Sequence, residues 1–203
     1  MRSIKVGASQ YEIIAASEYT GRILGADHLT FDMIGYAPEE DLRIVYPPTF
    51  RKVTADQVVV FEPLPFFNGY NTEIVGVFVP GKLPGPQKIL SEICMQAFDE
   101  GLKAAEPGGK ISDIFLATKN FFVASGCEGF ATSCGHGIGF DNTEYPIFNE
   151  SCNEILEPGM VFAYHPNISL ANGSKAIFGC VYVVTEIGIE KLTQITPHPY
   201  YFT

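Results

Sequence analysis

The sequence predicts a mixed α+β domain with antiparallel sheet and a cleft where its two halves meet. Three observations predict it: stretches with apolar residues at helical spacing, short runs of β-branched and aromatic residues joined by tight-turn signals, and the recurrence of both kinds in each half of the chain. At 203 residues, 46% of them hydrophobic and 18% charged, the chain can bury one sizeable core and reads as one domain over 1–203.

Ser9-Gln10-Tyr11-Glu12 has the form of a capping box, in which the serine hydroxyl accepts from the backbone three residues on and the glutamate reaches back. Ile13, Ile14, Ala16, Ile23 and Leu24 then suit a helix running to about Gly25. Residues 29–34 alternate enough for a strand, 37–42 is an acidic turn holding Pro38, and 42–46 is a second strand stopped by Pro47 and Pro48. Residues 58–61 are a wholly apolar β run ending in Glu62, and 70–79 is a further strand carrying Glu73. The intervening 63–69 reads as a hairpin connection or bulge. Glu62 and Glu73 then stand at facing positions, although a pair of edge-strand glutamates has the same pattern.

Residues 84–105 place Ile89, Leu90, Ile93, Ala97, Phe98, Leu102 and Ala105 on a helical stripe, closed by Pro107, Gly108 and Gly109. Residues 111–124 form another helix, with Ile114, Phe115, Ala117, Phe121 and Phe122 apolar. Beyond a Gly-rich segment, 160–170 and 176–185 read as long strands joined at Asn172-Gly173, and 188–192 as a last short one. The aromatic, Pro-rich tail 193–203 suits either a partner subunit, as in a homodimer, or the cover of a sheet edge.

Lys and Arg number 13 against 23 Asp and Glu, a formal net charge of -10 with no basic run. Phosphate binding needs clustered cations, so nucleic acid is not an expected partner. No apolar run approaches the roughly 18–20 residues that span a bilayer, and the N-terminus lacks the apolar core of a signal peptide. A cytoplasmic chain without a membrane partner is expected. Cys94, Cys127, Cys134, Cys152 and Cys180 are odd in number and form no CxxC pair, which points to free thiols rather than disulfides or a zinc knuckle. His28 and His198 read as surface or loop residues.

The segment 134–146, CGHGIGFDNTEYP, sets His136 between glycines that let the backbone pass close to a neighbour, and then offers Glu144. A histidine hydrogen-bonded in a core would look the same. The segment gains meaning beside Glu62, Glu73 and His165, each next to or within an expected strand. The successive spacings are 11, 63 and 29 residues, and a further 14 lands on Gly179.

Those intervals, with GHGIGF, EPGMVF, VVTEIG and the Gly69-Tyr70 hairpin, resemble the pita-bread family of methionine aminopeptidase, aminopeptidase P, proline dipeptidase and creatinase, over about residues 4–192. The resemblance implies a curved antiparallel sheet flanked by helices. It also implies that one more helix, and often a separate N-terminal domain, precedes the stretch at which this sequence begins. The family's peptidases hold two divalent metals with two aspartates, one histidine and two glutamates. By resemblance Glu62 and Glu73 stand where the aspartates would be, His136 matches the histidine, His165 stands where the first glutamate would be, and Gly179 replaces the second. The family's two assisting histidines would fall near Val45 and on Thr143.

Two divalent ions about 3.5–4 Å apart need bridging carboxylates, because like charges that close repel strongly. Glu62 and Glu73 bring two negative charges and neutral His136 and His165 bring none, which suits one ion or none rather than two. Each Asp-to-Glu change also lengthens the arm by about 1.5 Å, Gly179 brings no ligand atom, and Cys180 beside it is a poor substitute. No cofactor is expected, while a single zinc, iron or manganese on Glu62 or Glu73 with both histidines is the one ion the donors allow. Creatinase resembles the peptidases yet hydrolyses a C–N bond without metal. In that mode His136 or His165 moves the proton and Glu62, Glu73 or Glu144 orients the imidazole. The catalytic candidates are therefore His136, His165 and Glu144. Glu62, Glu73 and Tyr164 are the candidates for binding a small-molecule or short-peptide substrate with an amide, amidine or peptide bond. The base histidine of creatinase would fall near Val45, so a non-catalytic pseudoenzyme that binds a ligand or dimerises stands as the alternative.

Overall fold

The computed structural model describes residues 3–38 and 47–202; the strand expected at 42–46, most of the turn before it, and Val45 lie outside the described residues. The elements run α1 (Gln10–Ile23), β1 (His28–Ala37), β2 (Val58–Phe67), β3 (Tyr70–Asn71), β4 (Gly76–Val79), α2 (Gly85–Leu102), α3 (Ile111–Ala124), β5 (Gly135–Gly137) and β6 (Glu144–Ile147). They continue with β7 (Val161–Tyr164), β8 (Asn167–Ser169), β9 (Lys175–Ile177), β10 (Cys180–Val184), β11 (Ile189–Lys191) and β12 (Tyr200–Tyr201). One sheet has the order β1-β2-β4-β12 with β3 also paired to β2, a second has the order β11-β10-β7-β5-β6, and β8 and β9 form a separate hairpin. Almost every pairing is antiparallel, in keeping with the α+β expectation.

The capping box of α1 forms in both directions: the Glu12 N–H donates to the Ser9 hydroxyl at 3.3 Å and the Ser9 N–H donates to Glu12 Oε2 at 2.7 Å. The Ser9 N–H, and with it the Ser9 hydroxyl at 2.9 Å, donate to the Glu12 carboxylate and hold it below its ordinary range. Ile13 and Ile14 bury against Tyr36, Val59, Phe61 and Phe78 of the first sheet, whereas Ile23 and Leu24 are 64% and 76% exposed, so the apolar stripe ends before the helix does. Ser9→Ala removes one acceptor from the helix start and is expected to cost ~1 kcal/mol in urea unfolding; an unchanged midpoint would show the box to be idle.

Strand β2 is longer than the sequence suggested, running through Pro63 and Pro65 instead of ending at Phe61. Proline lacks an N–H but keeps its carbonyl, and Pro65 and Pro63 accept from the N–H of Thr72 at 3.0 Å and Ile74 at 3.4 Å. The turn is confined to Asn68 and Gly69, both at positive φ (51° and 87°), as a tight hairpin requires. The expected single strand over 70–79 is instead interrupted between β3 and β4, and Glu73 sits in the interruption. The expected long strands 160–170 and 176–185 also break, at 165–166 and 178–179, where the chain leaves the second sheet for the β8-β9 hairpin and returns.

Helix α2 buries Gln87, Leu90, Ser91, Cys94, Ala97, Phe98 and Gly101, a stripe rotated from the apolar one expected, and Ile89 is 60% exposed. The polar members are tolerated because they are bonded: the Gln87 amide donates to the Lys175 carbonyl at 2.6 Å and accepts the Lys175 N–H at 3.3 Å, acting as an extra strand partner for β9. Helix α3 has the bounds expected of it. The two helices and the inner faces of both sheets enclose the main core, which includes Leu90, Phe98, Ile114, Phe122, Phe148, Phe162 and Phe178. The tail covers a sheet edge: β12 pairs in parallel with β4, and Tyr200 stacks on Phe78 with ring centroids 5.3 Å apart. All five cysteines are free and buried, and among the described residues no helix is long and apolar enough to cross a membrane.

Candidate metal-binding site

Three interruptions in regular structure create the site. Glu73 lies between β3 and β4, His165 follows directly on β7, and Gly179 immediately precedes β10; the isolated bridge between Val75 and Gly179 ties the two sheets together there. His136 is central in β5, opposite Ala163 of β7, which in turn lies opposite Val181 of β10. Directly paired residues share a sheet face and successive residues alternate, so His136, Ala163, Val181 and, two residues beyond Ala163, His165 share one face. The His165 N–H donates to the Cys134 carbonyl at 2.8 Å, which continues that pairing.

On this face one carboxylate straddles two imidazoles. Glu73 Oε2 is 3.6 Å from His136 Nε2 and Oε1 is 3.5 Å from His165 Nε2, and the rings of the two histidines have centroids 4.9 Å apart, tilted by 58°. Glu73, His136 and His165 each offer one ligand-type atom within 4.8 Å of the others. The Nδ1 of His136 lies 2.9 Å from the Gly137 carbonyl. A carbonyl only accepts, so Nδ1 is assigned the hydrogen and Nε2 is the nitrogen turned to Glu73. Both ring nitrogens of His165 are buried without a hydrogen bond. Burial, and then the neighbouring His136, push the basicity of His165 down to about 3, so its ring is neutral at pH 7.

Lys175, also buried, is a further cause of that shift and a charged neighbour the sequence reading missed. The signal was there: a lone cation in the apolar run from Lys175 to Phe178 has few reasons to be buried except to meet charge.

Glu62 stays out of the group. The β2 register, Phe66 to Asn71 and Phe61 to Gly76, continues to place Glu62 across from Val75 and Glu73 across from Leu64. The two glutamates are therefore diagonal neighbours on one face and not the facing pair expected, a separation of about 7–8 Å between backbones in such a ladder. Glu62 is buried there at 5% exposure. The assignment of Tyr164 to substrate binding is corrected. It alternates with His165, so its ring turns to the opposite face, where its hydroxyl lies 2.7 Å from the Thr118 hydroxyl and it packs on Phe98 in the helix-covered core. Glu144 pairs opposite Gly137 on β6 and lines a cavity of about 310 Å³ with Tyr70, Phe140 and Tyr145, where its Oε1 accepts the Asp141 N–H at 2.8 Å. It closes its own loop and lies outside the three-residue group. The Cys180 thiol cannot stand in for Gly179, because it too lies on the core face, 3.9 Å from the Ile195 carbonyl.

One carboxylate serves both histidines, and Gly179 cannot give way to a fifth ligand, since a Cβ there would overlap Val75 Cγ1 and stand 2.9 Å from His165 Cβ. The geometry is compatible with a single ion.

A profile of metallopeptidase family M24 matches residues 1–197. The Xaa-Pro dipeptidase of Pyrococcus furiosus is 24% identical over 195 residues, covering 96% of this chain and 56% of its own, and a putative dipeptidase of Bacillus subtilis is 26% identical over 194 residues, covering 95% and 53%. The chain thus spans about half the length of the curated relatives it matches. Among solved structures, an X-Pro aminopeptidase from Thermotoga maritima superposes with a TM-score of 0.92 at 26% identity over 98% of this chain and 57% of that one. The prolidase of Pyrococcus furiosus gives 0.89 at 25% identity, over 95% and 58%. The fold is the pita-bread fold of these peptidases. With that fold along nearly its whole length and the family profile matched from 1 to 197, this chain belongs to metallopeptidase family M24.

Proposed function

We propose that this domain hydrolyses a small C–N substrate, an amide, amidine or short peptide, without the two-metal centre of its relatives. The observation that supports the reading is the convergence of Glu73, His136 and His165 on one sheet face at the junction of the two sheets. All three are of ligand or acid–base type, and a drifted cleft would more often fill with apolar side chains.

The two histidines are not equivalent. A group whose basicity is held near 3 is a weak proton acceptor at pH 7, so His165 presents a lone pair and moves no proton. His136 is better placed for proton transfer: the Gly137 carbonyl fixes its ring through Nδ1, and Glu73 lies beside Nε2 to stabilise the cation. A divalent ion held by Glu73, His136 and His165 would supply Lewis acidity and an acidified water. With His136 engaged in holding it, Glu62 is the other carboxylate on the Glu73 side of β2 suited to hold or take a proton.

The test is turnover of a panel of dipeptides, Xaa-Pro peptides, creatine and cyclic amidines, with and without added zinc, iron(II), cobalt or manganese. Expected is hydrolysis of at least one member that falls by about 10²–10⁴-fold in His136→Ala, the usual worth of a positioned acid or base. Turnover of nothing, or turnover indifferent to His136, sinks the reading. The second reading, a pseudoenzyme that keeps the cleft for binding, draws on Val75 filling the place of a ligand at Gly179. Peptide-dependent thermal stabilisation without hydrolysis is its signature. Homodimerisation is likewise a proposal, checked by sedimentation.

A further inference from the structure

We infer that Glu73, His136 and His165 form a one-ion site of zinc-like preference, taking a single borderline transition metal in place of the pair of ions the family's carboxylate-rich centre holds. The inference deepens the proposed function by naming the ion's number and class, and it stands on the identity of the three donors and on the buried nitrogens of His165.

The N···O separations of 3.5 and 3.6 Å are too long for hydrogen bonds, which cluster at 2.7–3.2 Å. They run to the two different oxygens of one carboxylate, and the three donor atoms lie within 4.8 Å of one another, a group that one ion with bonds of about 2.1 Å can gather by a small inward movement of the side chains. With the carboxylate binding through one oxygen, three protein donors would leave the fourth position of a tetrahedral ion open.

Donor chemistry points the same way. Two imidazoles and one carboxylate suit zinc, iron(II) or cobalt, while manganese and magnesium prefer oxygen-rich sets. The exchange that matters is His165, an imidazole standing where the family resemblance places a carboxylate. His165 is also the residue whose two ring nitrogens are buried without a hydrogen bond, an arrangement that costs stability unless a ligand engages it. A charged histidine paired with Glu73 would be an alternative account of the cluster. It does not account for His165, whose Nε2 stands 3.5 Å from Glu73 Oε1, beyond hydrogen-bond distance, and whose Nδ1 is buried without a hydrogen bond. One positive ion among the three donor atoms would give His165 the partner its ring nitrogens lack.

The test uses chelator-stripped protein and is independent of turnover. Cobalt(II) is added in increments and read by its visible d–d absorption, zinc by competition, manganese by its free-ion electron paramagnetic resonance signal, and the dialysed protein by elemental analysis. Expected are one equivalent of cobalt with the intense absorption of a four- or five-coordinate ion, displacement by zinc, and manganese bound more than about tenfold more weakly. His165→Gln is expected to weaken zinc by more than tenfold, since losing even an outer hydrogen-bond partner of a ligand costs about 10–100-fold. His165→Glu is expected to narrow the zinc–manganese gap. Because either variant could misfold, the melting temperature of the unaltered protein with and without zinc is measured alongside, and a rise is expected. Two equivalents, no binding, a preference for manganese, or zinc affinity unchanged in a folded His165→Gln protein would each overturn the inference. One bound ion with no turnover leaves it standing and removes the hydrolase reading; metal-free turnover with no ion bound does the reverse.

Discussion

Gly179→Ala is expected to lower the unfolding free energy by about 1–3 kcal/mol, the usual cost of forcing a methyl group into a filled core, and Gly179→Glu, which would restore the family's carboxylate, by more. The added Cβ would overlap Val75 Cγ1 and press on His165 Cβ at 2.9 Å. Val75 has no room to retreat: it is 1% exposed, and its carbonyl accepts the Gly179 N–H at 2.9 Å, which pins the two strands together. Relief should come from Val75. In a double-mutant cycle, Gly179→Ala is expected to cost less in a Val75→Ala background, with a coupling of about 0.5–3 kcal/mol as for residues in direct contact. Urea unfolding of the four proteins decides it; a neutral Gly179→Ala, or strict additivity, shows that the space is not filled as described.

Acid should destabilise the metal-free protein in a window set by His165. Its folded basicity lies near 3 and its unfolded value near the ordinary 6.5. Below pH 6.5 the unfolded chain therefore takes up a proton that the folded chain refuses, and stability falls as pH drops from 6.5 towards 3, with nothing more from this group below that. The slope approaches ~1.4 kcal/mol per pH unit within the window. His165→Gln lacks the group, so the difference in stability between the two proteins should change with pH between 6.5 and 5, above the range where ordinary carboxylates titrate. Parallel curves for the two proteins would mean that His165 takes up its proton when folded.

Much of this protein is legible in order along the chain. The capping box of α1 and the bounds of α3 follow from local bonding and periodicity, which act over a few residues and survive whatever the chain does elsewhere. The motif spacing located Glu73, His136 and His165 before any geometry was known. Legibility failed where the chain breaks its own regularity. The interruptions at 72–74, 165–166 and 178–179 lie in apolar, strand-like sequence, and it is the passage from one sheet to the other that breaks them. Tyr164 was misplaced for a related reason: adjacency to His165 suggests a shared site, but in a strand adjacent residues face opposite ways.

Fold and family are written in the residues themselves, because hydrophobic period, turn chemistry and motif spacing are properties of composition and order. Which glutamate meets the histidines is not. That depended on a register offset of two residues across β2, on Val75 entering the space beside Gly179, and on the depth at which His165 is buried. Distance, packing volume and desolvation exist only once remote segments are brought together, and those three quantities turned four candidate side chains into a group of three.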